Sequence, residues 1–238
     1  MSPNEPAPSH APPRLELLNN LELTPRRIEL RRLAAAGRAM IEHLVSTGAT
    51  VDDISRAADA LEEVAALLRS MPQGSSYDGF AEAANAGTSD VDIERYAFFD
   101  HSPFIGLANP LSPPIVFDYE PDRVTGVVTF GGAYEGPPGC VHGGYVAAAF
   151  DELLGAAQSL SGTQGMTARL TVNYRSPTPL RTELRMEGAL SRQEGRKLWC
   201  DGRLWAGDRL CAEGEGLFIS FDAEKFRALL EARERLGR

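Results

Sequence analysis

Cysteine is scarce in this chain: its 238 residues hold only Cys140, Cys200 and Cys211. Three thiols at those spacings match no metal pattern, and an odd count suits no disulfide framework, so a reducing, cytoplasmic setting is expected. A basic excess is also missing. The net charge of −9 argues against general nucleic-acid binding, which needs a basic footprint. No apolar run approaches the roughly 20 residues of a membrane-spanning helix, so no membrane partner is expected. The opening MSPNEPAPSHAPPR lacks the apolar core of a secretory signal and is rich in Pro, Ser and Ala. Residues 1–23 therefore read as a disordered tail.

The rest of the chain has ordinary globular composition and is long enough to bury a core. Its charge is uneven. Residues 167–210 carry nine Lys and Arg against five Asp and Glu, a local excess of +4. Such a patch suits a small anionic ligand or is ordinary charge on strand surfaces.

Residues 24–72 predict a helical hairpin. Thr24 is a candidate N-cap and Pro25 sits at the first helical position, which proline favours. Leu30, Leu33, Gly37, Met40, Ile41 and Leu44 then recur at helical spacing, and STGAT (46–50) makes the turn. Thr50 and Asp53 resemble a capping box that opens a second helix, with Ile54, Ala57, Ala58, Leu61, Val64, Ala65 and Leu68 as its stripe. The two faces are expected to pack on the chain's own domain or on a second subunit. Residues 73–92 show no period and read as a linker.

From residue 93 to 222 the pattern predicts one α+β domain, with a short C-terminal helix at 223–238. Two β-rich runs, IVFDYE and RVTGVVTF, precede the apolar helix of HGGYVAAAFDELLG. Four more strands are expected at 167–175, 181–191, 196–206 and 208–220. Leu184, Met186, Gly188 and Leu190 alternate with Glu183, Arg185, Glu187 and Ala189, the period of a half-buried strand. Short QEG and AGD turns make the strands antiparallel. One long helix is then the natural cover for the apolar face of the sheet.

The helix carries the chemistry. Gly143 and Gly144 stand at its start, where unpaired N–H groups and the positive end of the helix dipole can hold a ligand oxygen. Glycine pairs also open helices for packing reasons alone. Asp151 interrupts an apolar stretch, as a solvent-facing residue or as a buried carboxylate with a task. Seven residues separate Gly144 from Asp151, so they share a face but lie about 10 Å apart along the axis. They can serve one site only across two antiparallel helices, as in a two-fold dimer. On MTARLTVNYRSPTPL (166–180), strict alternation puts Thr167, Arg169, Thr171, Asn173 and Arg175 on one side, where Thr167 could approach Asp151.

HGGYVAAAFDELLG, MTARLTVNYRSPTPL and EGRK together resemble the hot-dog-fold thioesterases, most closely the PaaI-like and thioesterase-superfamily-member group. The likeness spans about residues 93–220. It rests on HGG, on an Asp nine residues past the His, and on T-x-x-L-x-x-x-Y-x-x-P. The resemblance implies a hot-dog fold, a homodimer or dimer of dimers, and hydrolysis of acyl-CoA with no metal or nucleotide cofactor. It assigns catalysis to Asp151, to the N–H of Gly143 with His142 as the motif histidine, and to Thr167 beside the aspartate. Asp151 would act as base or nucleophile. His142 is read as a positioning residue, because nine residues put it on the opposite side of the helix from Asp151. Gly144, Arg175, Arg196 and Lys197 are candidate substrate contacts, the last three toward the CoA phosphates. Some relatives carry an Asn or Gln upstream of the histidine; here only Tyr134 and Glu135 are offered. An enoyl-CoA hydratase of the same fold would place Asp before His at a shorter gap. A non-catalytic acyl-CoA-binding module is the other alternative. The hairpin lies outside the likeness.

Overall fold

The computed structural model describes residues 25–72, 100–163 and 165–220. Thr24, the expected tail, the 73–92 linker and the 223–238 helix lie outside the described residues.

Six strands form one antiparallel sheet: β1 (Val116–Tyr119), β2 (Val124–Thr129), β3 (Gly165–Tyr174), β4 (Glu183–Glu194), β5 (Lys197–Ala206) and β6 (Arg209–Ser220), in the order β1-β2-β4-β5-β6-β3. The expected alternation holds: Leu184, Met186 and Gly188 on β4, and Leu198, Cys200, Gly202 and Leu204 on β5, all face the core. The long apolar helix Gly143–Gln158 lies across that face and buries Val146, Ala149, Phe150, Leu153, Leu154 and Ala157.

Glycines make that close approach possible. Gly188 pairs with Gly202, and Gly202 with Gly214, so three glycines line up across β4, β5 and β6. A Cβ at Gly188 would come 2.9 Å from Leu153, and one at Gly214 would come 2.5 Å from the Phe150 ring. The lane is a groove into which the helix sets its largest side chains. A glycine inside a strand, otherwise unfavourable, here marks the close approach of another element.

Two helices precede the sheet: α1 (Pro25–Leu44) and α2 (Val51–Ser70). The central helix is α3. Helix α1 begins at Pro25 as expected, and it docks through charged residues as well as through part of its stripe, where a Cβ on Gly37 would meet Pro110 at 2.9 Å. Arg27 and Arg31 both bind the buried carboxylate of Asp100, Arg31 by a forked pair of hydrogen bonds of 2.8 and 3.0 Å. Burial pushes the Asp100 carboxyl up, but the hydrogen bonds from Arg31 and Arg27 outweigh it and hold the group below its ordinary value. Further along α1, Arg38 donates to the carbonyls of Leu107 and Asn109, and Glu42 pairs with Arg181 at 2.9 Å. Ile28, Leu33, Met40 and Leu44 stay exposed. Helix α2 opens with the expected cap: Thr50 Oγ1 accepts from the Asp53 N–H at 3.3 Å and donates to its carboxylate at 2.7 Å. All twenty residues of α2 are exposed.

Candidate active site

The loop before α3 sets the site. Pro137, Pro138 and Gly139 form the expected turn, with Gly139 at φ 74°, and Glu135 and Val141 close it as a β-bridge. Glu135 accepts from the Gly139 N–H at 2.7 Å, and Tyr134 donates to the Leu111 carbonyl at 2.9 Å. Both residues are thus engaged in holding loops.

His142 is the N-cap of α3. Its Nδ1 accepts from the Gly144 N–H at 3.0 Å. A side chain that accepts a bond from the second or third helical N–H satisfies one of the donors a helix start leaves open. The Gly144 N–H, expected to face substrate, is therefore already used. The Gly143 N–H makes no hydrogen bond among the described residues. Tyr174 donates to the Gly143 carbonyl at 2.8 Å, and so holds the Gly143–Gly144 peptide whose N–H the His142 cap already uses. A Cβ on Gly143 would sit 3.3 Å from the Tyr174 oxygen, tighter than usual contact.

Asp151 lies on the outer face of α3 and is exposed, in contrast to the reading of a buried carboxylate. The helix turns Gly144 and Asp151 to the same open side, flanked by Ala147, Ala148 and Gly155. Thr167 Oγ1 donates to Asp151 Oδ1 at 2.9 Å. Strict alternation would have put Thr167 with Arg169 and Thr171. A register shift between Thr167 and Arg169 breaks it: Thr167 pairs with Phe218, and Arg169 already with Leu217. The extra residue, Ala168, is a bulge that turns Thr167 to the helix side, with Leu170, Val172 and Tyr174.

Within one subunit Gly143 and Asp151 stay apart. Eight residues at 1.5 Å per residue separate them by about 12 Å. The basic candidates do not cluster either. Arg175 pairs with Glu213 at 2.7 Å, and Arg196 donates to the Ser220 carbonyl at 2.8 Å, so both are engaged at opposite ends of β6. Lys197 is exposed beside Arg196.

One carboxylate was missed. Glu152 is half-buried behind Asp151. Burial raises its carboxyl to about 7, the Ser102 hydrogen bond at 3.1 Å pulls it back, and the Asp151 charge adds to the rise. Its position, one residue from Asp151 on an apolar helix, was the available signal. Tyr174, the tyrosine of the T-x-x-L-x-x-x-Y-x-x-P strand, is the other residue whose place at the helix start the strand pattern does not signal.

A six-stranded antiparallel sheet wrapped on one central helix, with a threonine–aspartate pair at its edge, defines a hot-dog domain of the thioesterase type. The thioesterase superfamily profile matches residues 138–213. A crystal structure titled as a thioesterase superfamily protein is 32% identical, covers 80% of this chain and 94% of its own, and superposes with a TM-score of 0.68. This chain belongs to the thioesterase superfamily. Acyl-coenzyme A thioesterase THEM4 of Bos taurus is 37% identical over 114 residues, which are 47% of this chain and 47% of that protein. The Xenopus laevis protein of the same name is 38% identical over 87 residues, 36% of this chain and 39% of its own. The chain thus spans less than half the length of these curated relatives.

Proposed function

We propose that the protein hydrolyses acyl-CoA thioesters at two sites built across a homodimer. The observation that carries this reading is the Thr167–Asp151 hydrogen bond on the open face of α3. The bond orients a carboxylate without burying it, and Asp151 Oδ2 has no hydrogen-bond partner among the described residues. Two features favour a second copy as the cover. The open stripe of α3 is made of small residues around Asp151, so two such helices could approach closely. Among the described residues β3 is an edge strand with β6 as its one neighbour, and the backbone of an edge strand is a template for pairing.

In an antiparallel arrangement the Gly143 N–H of one subunit meets Asp151 of the other. The thioester carbonyl oxygen accepts from the Gly143 N–H, and the helix dipole stabilises the oxyanion that forms. Asp151 takes a proton from a water held beside Thr167. The water oxygen bonds to the acyl carbon, the C–S bond breaks, and the proton goes to the CoA sulfur. If Asp151 instead attacks directly, an acyl anhydride forms and water cleaves it; the atoms balance in the same way. His142 positions the helix start and carries no proton in either route. The family names of the THEM4 relatives support the substrate class.

The test is free-thiol release from a panel of acyl-CoA esters of varied chain length, with aryl esters included. Release from at least one ester, abolished in Asp151→Ala, is expected. Tight binding with no release from any of them would favour a non-catalytic acyl-CoA-binding module.

A further inference from the structure

The loop at 100–112 has two attachments. On one side α1 holds it. Asp100 is buried against Arg27 and Arg31, and Arg31 engages both oxygens of the carboxylate. Seven residues further along α1, on the same face, Arg38 donates to the carbonyls of Leu107 and Asn109. Desolvation offsets much of the attraction in a buried ion pair, so the Asp100 cluster is a costly way to gain stability alone.

On the other side the loop grips α3. Ser102 is 3% exposed. Its Oγ donates to Glu152 Oε1 at 3.1 Å and accepts from the N–H groups of Phe104 and Ile105 at 3.2 and 3.3 Å. Phe104 packs on Tyr145, with ring centroids 6.3 Å apart. Tyr145 and Glu152 are seven residues apart, so the loop follows one face of α3 for two turns. A carboxyl group on the inner side of an apolar helix is a cost that packing does not require. It stands beside Asp151 in the chain.

Between its attachments the loop is closed on itself. The Asp100 carbonyl accepts from the Ala108 N–H at 2.8 Å, and the Ser102 carbonyl accepts from the Gly106 N–H at 3.1 Å. Asn109 donates to the His101 carbonyl at 2.9 Å. A Cβ on Gly106 would collide with the carbonyl oxygens of Asp100 and Ser102. A loop cross-braced in this way can pass a constraint from α1 to α3.

We infer that Asp100, Ser102 and Glu152 form a brace that positions Asp151 for hydrolysis, with α1 as its outer clamp. The inference rests on the hydrolase reading and gives it a positioning element outside residues 138–213, the span of the family match. A displacement of about 1 Å at a reacting centre can cost as much as 10²-fold in rate, so a brace remote from the chemistry is visible in turnover.

Three full-length variants test this. Arg31→Gln removes the forked clamp but leaves Arg27 on Asp100. Ser102→Ala cuts the link to Glu152. Arg32→Gln is the control, since Arg32 pairs with Glu29 on the exposed side of α1. Thiol release from an acyl-CoA ester is measured per folded molecule, well below each melting temperature. In Arg31→Gln and in Ser102→Ala, kcat is expected to fall roughly five- to tenfold with KM within about twofold of wild type, because the substrate contacts are untouched. The double variant should be within about twofold of the slower single variant, since both changes break one path. Arg32→Gln should match wild type. A lowered melting temperature with unchanged turnover per folded molecule would overturn the inference, and so would losses of kcat that multiply in the double variant. Amide hydrogen exchange over residues 143–158 is read in parallel and should quicken by about tenfold in both single variants. If the wild type hydrolyses no ester, the hydrolase reading fails on its own, and exchange decides the brace: unchanged exchange over α3 in both variants overturns it.

Discussion

His142 Nδ1 accepts the Gly144 N–H at 3.0 Å, and that one bond separates the two glycines of the motif. Gly144 spends its donor on the cap. Gly143 keeps its own, while Tyr174 holds the following peptide by its carbonyl. An imidazole that accepts at Nδ1 carries no proton there. His142→Ala should therefore lower stability by about 1 kcal/mol, the usual cost of a lost N-cap. His142→Asn, whose amide oxygen can accept the same bond, should restore both stability and most of the turnover. Thermal melts and thiol release on the two variants check it; an Asn variant that is stable but inactive would make His142 a proton carrier.

Glu152 gives a pH signature. Its carboxyl rises from 4.5 in the unfolded chain to about 7, with burial the largest cause. Between those values the folded state holds a proton the unfolded state has lost. The group's contribution is complete below pH 4.5 and is lost as pH rises through 7. Glu152→Gln should thus be more stable than wild type at pH 8 by about 1–2 kcal/mol, below the full shift because the side chain is only half-buried. The gain should vanish below pH 4.5. Denaturant melts at pH 4.5 and 8 measure both ends; equal effects at the two would mean that Glu152 does not titrate in this window.

Gly214→Ala tests the glycine lane. Its Cβ would lie 2.5 Å from the Phe150 ring, which is fully buried and has no room to yield. Overpacking of this kind costs about 1–3 kcal/mol. The same change at Gly207, at an open turn, should not disturb α3, although its φ of 58° carries a small backbone cost of its own. Near-UV circular dichroism alongside the melts separates a shifted α3 from a local turn effect.

The α+β order was legible because its periods are strong: Leu184, Met186 and Gly188 alternate cleanly, and the α3 run is too long and apolar for a strand. Asp151 and Thr167 were legible as a pair only through the motif, because the bulge at Ala168 that unites them leaves no mark in an alternating pattern. A period of two has no way to signal one inserted residue. The α1 docking face was hidden for another reason. Arginines read as solvent-facing, yet Arg27 and Arg31 are drawn inward by Asp100, 73 and 69 residues further along the chain. Sequence left Asp151 either solvent-facing or buried, because the helix is apolar nearly all round. In one subunit that apolar character continues, as small residues, onto a face with nothing yet against it.

Turnover by Asp151→Asn is the most direct measurement. The substitution keeps the side chain's shape and still accepts from Thr167 Oγ1, but removes charge and basicity. Thiol release should fall by roughly 10²-fold or more, the usual size of a lost acid–base group. Acyl-CoA affinity should stay within a few-fold of wild type, because the Gly143 N–H is untouched. The melting temperature should not drop, because Asp151 is exposed and has no cationic partner among the described residues. A folded Asp151→Asn protein that releases thiol at near the wild-type rate would contradict the assignment of Asp151 as base or nucleophile.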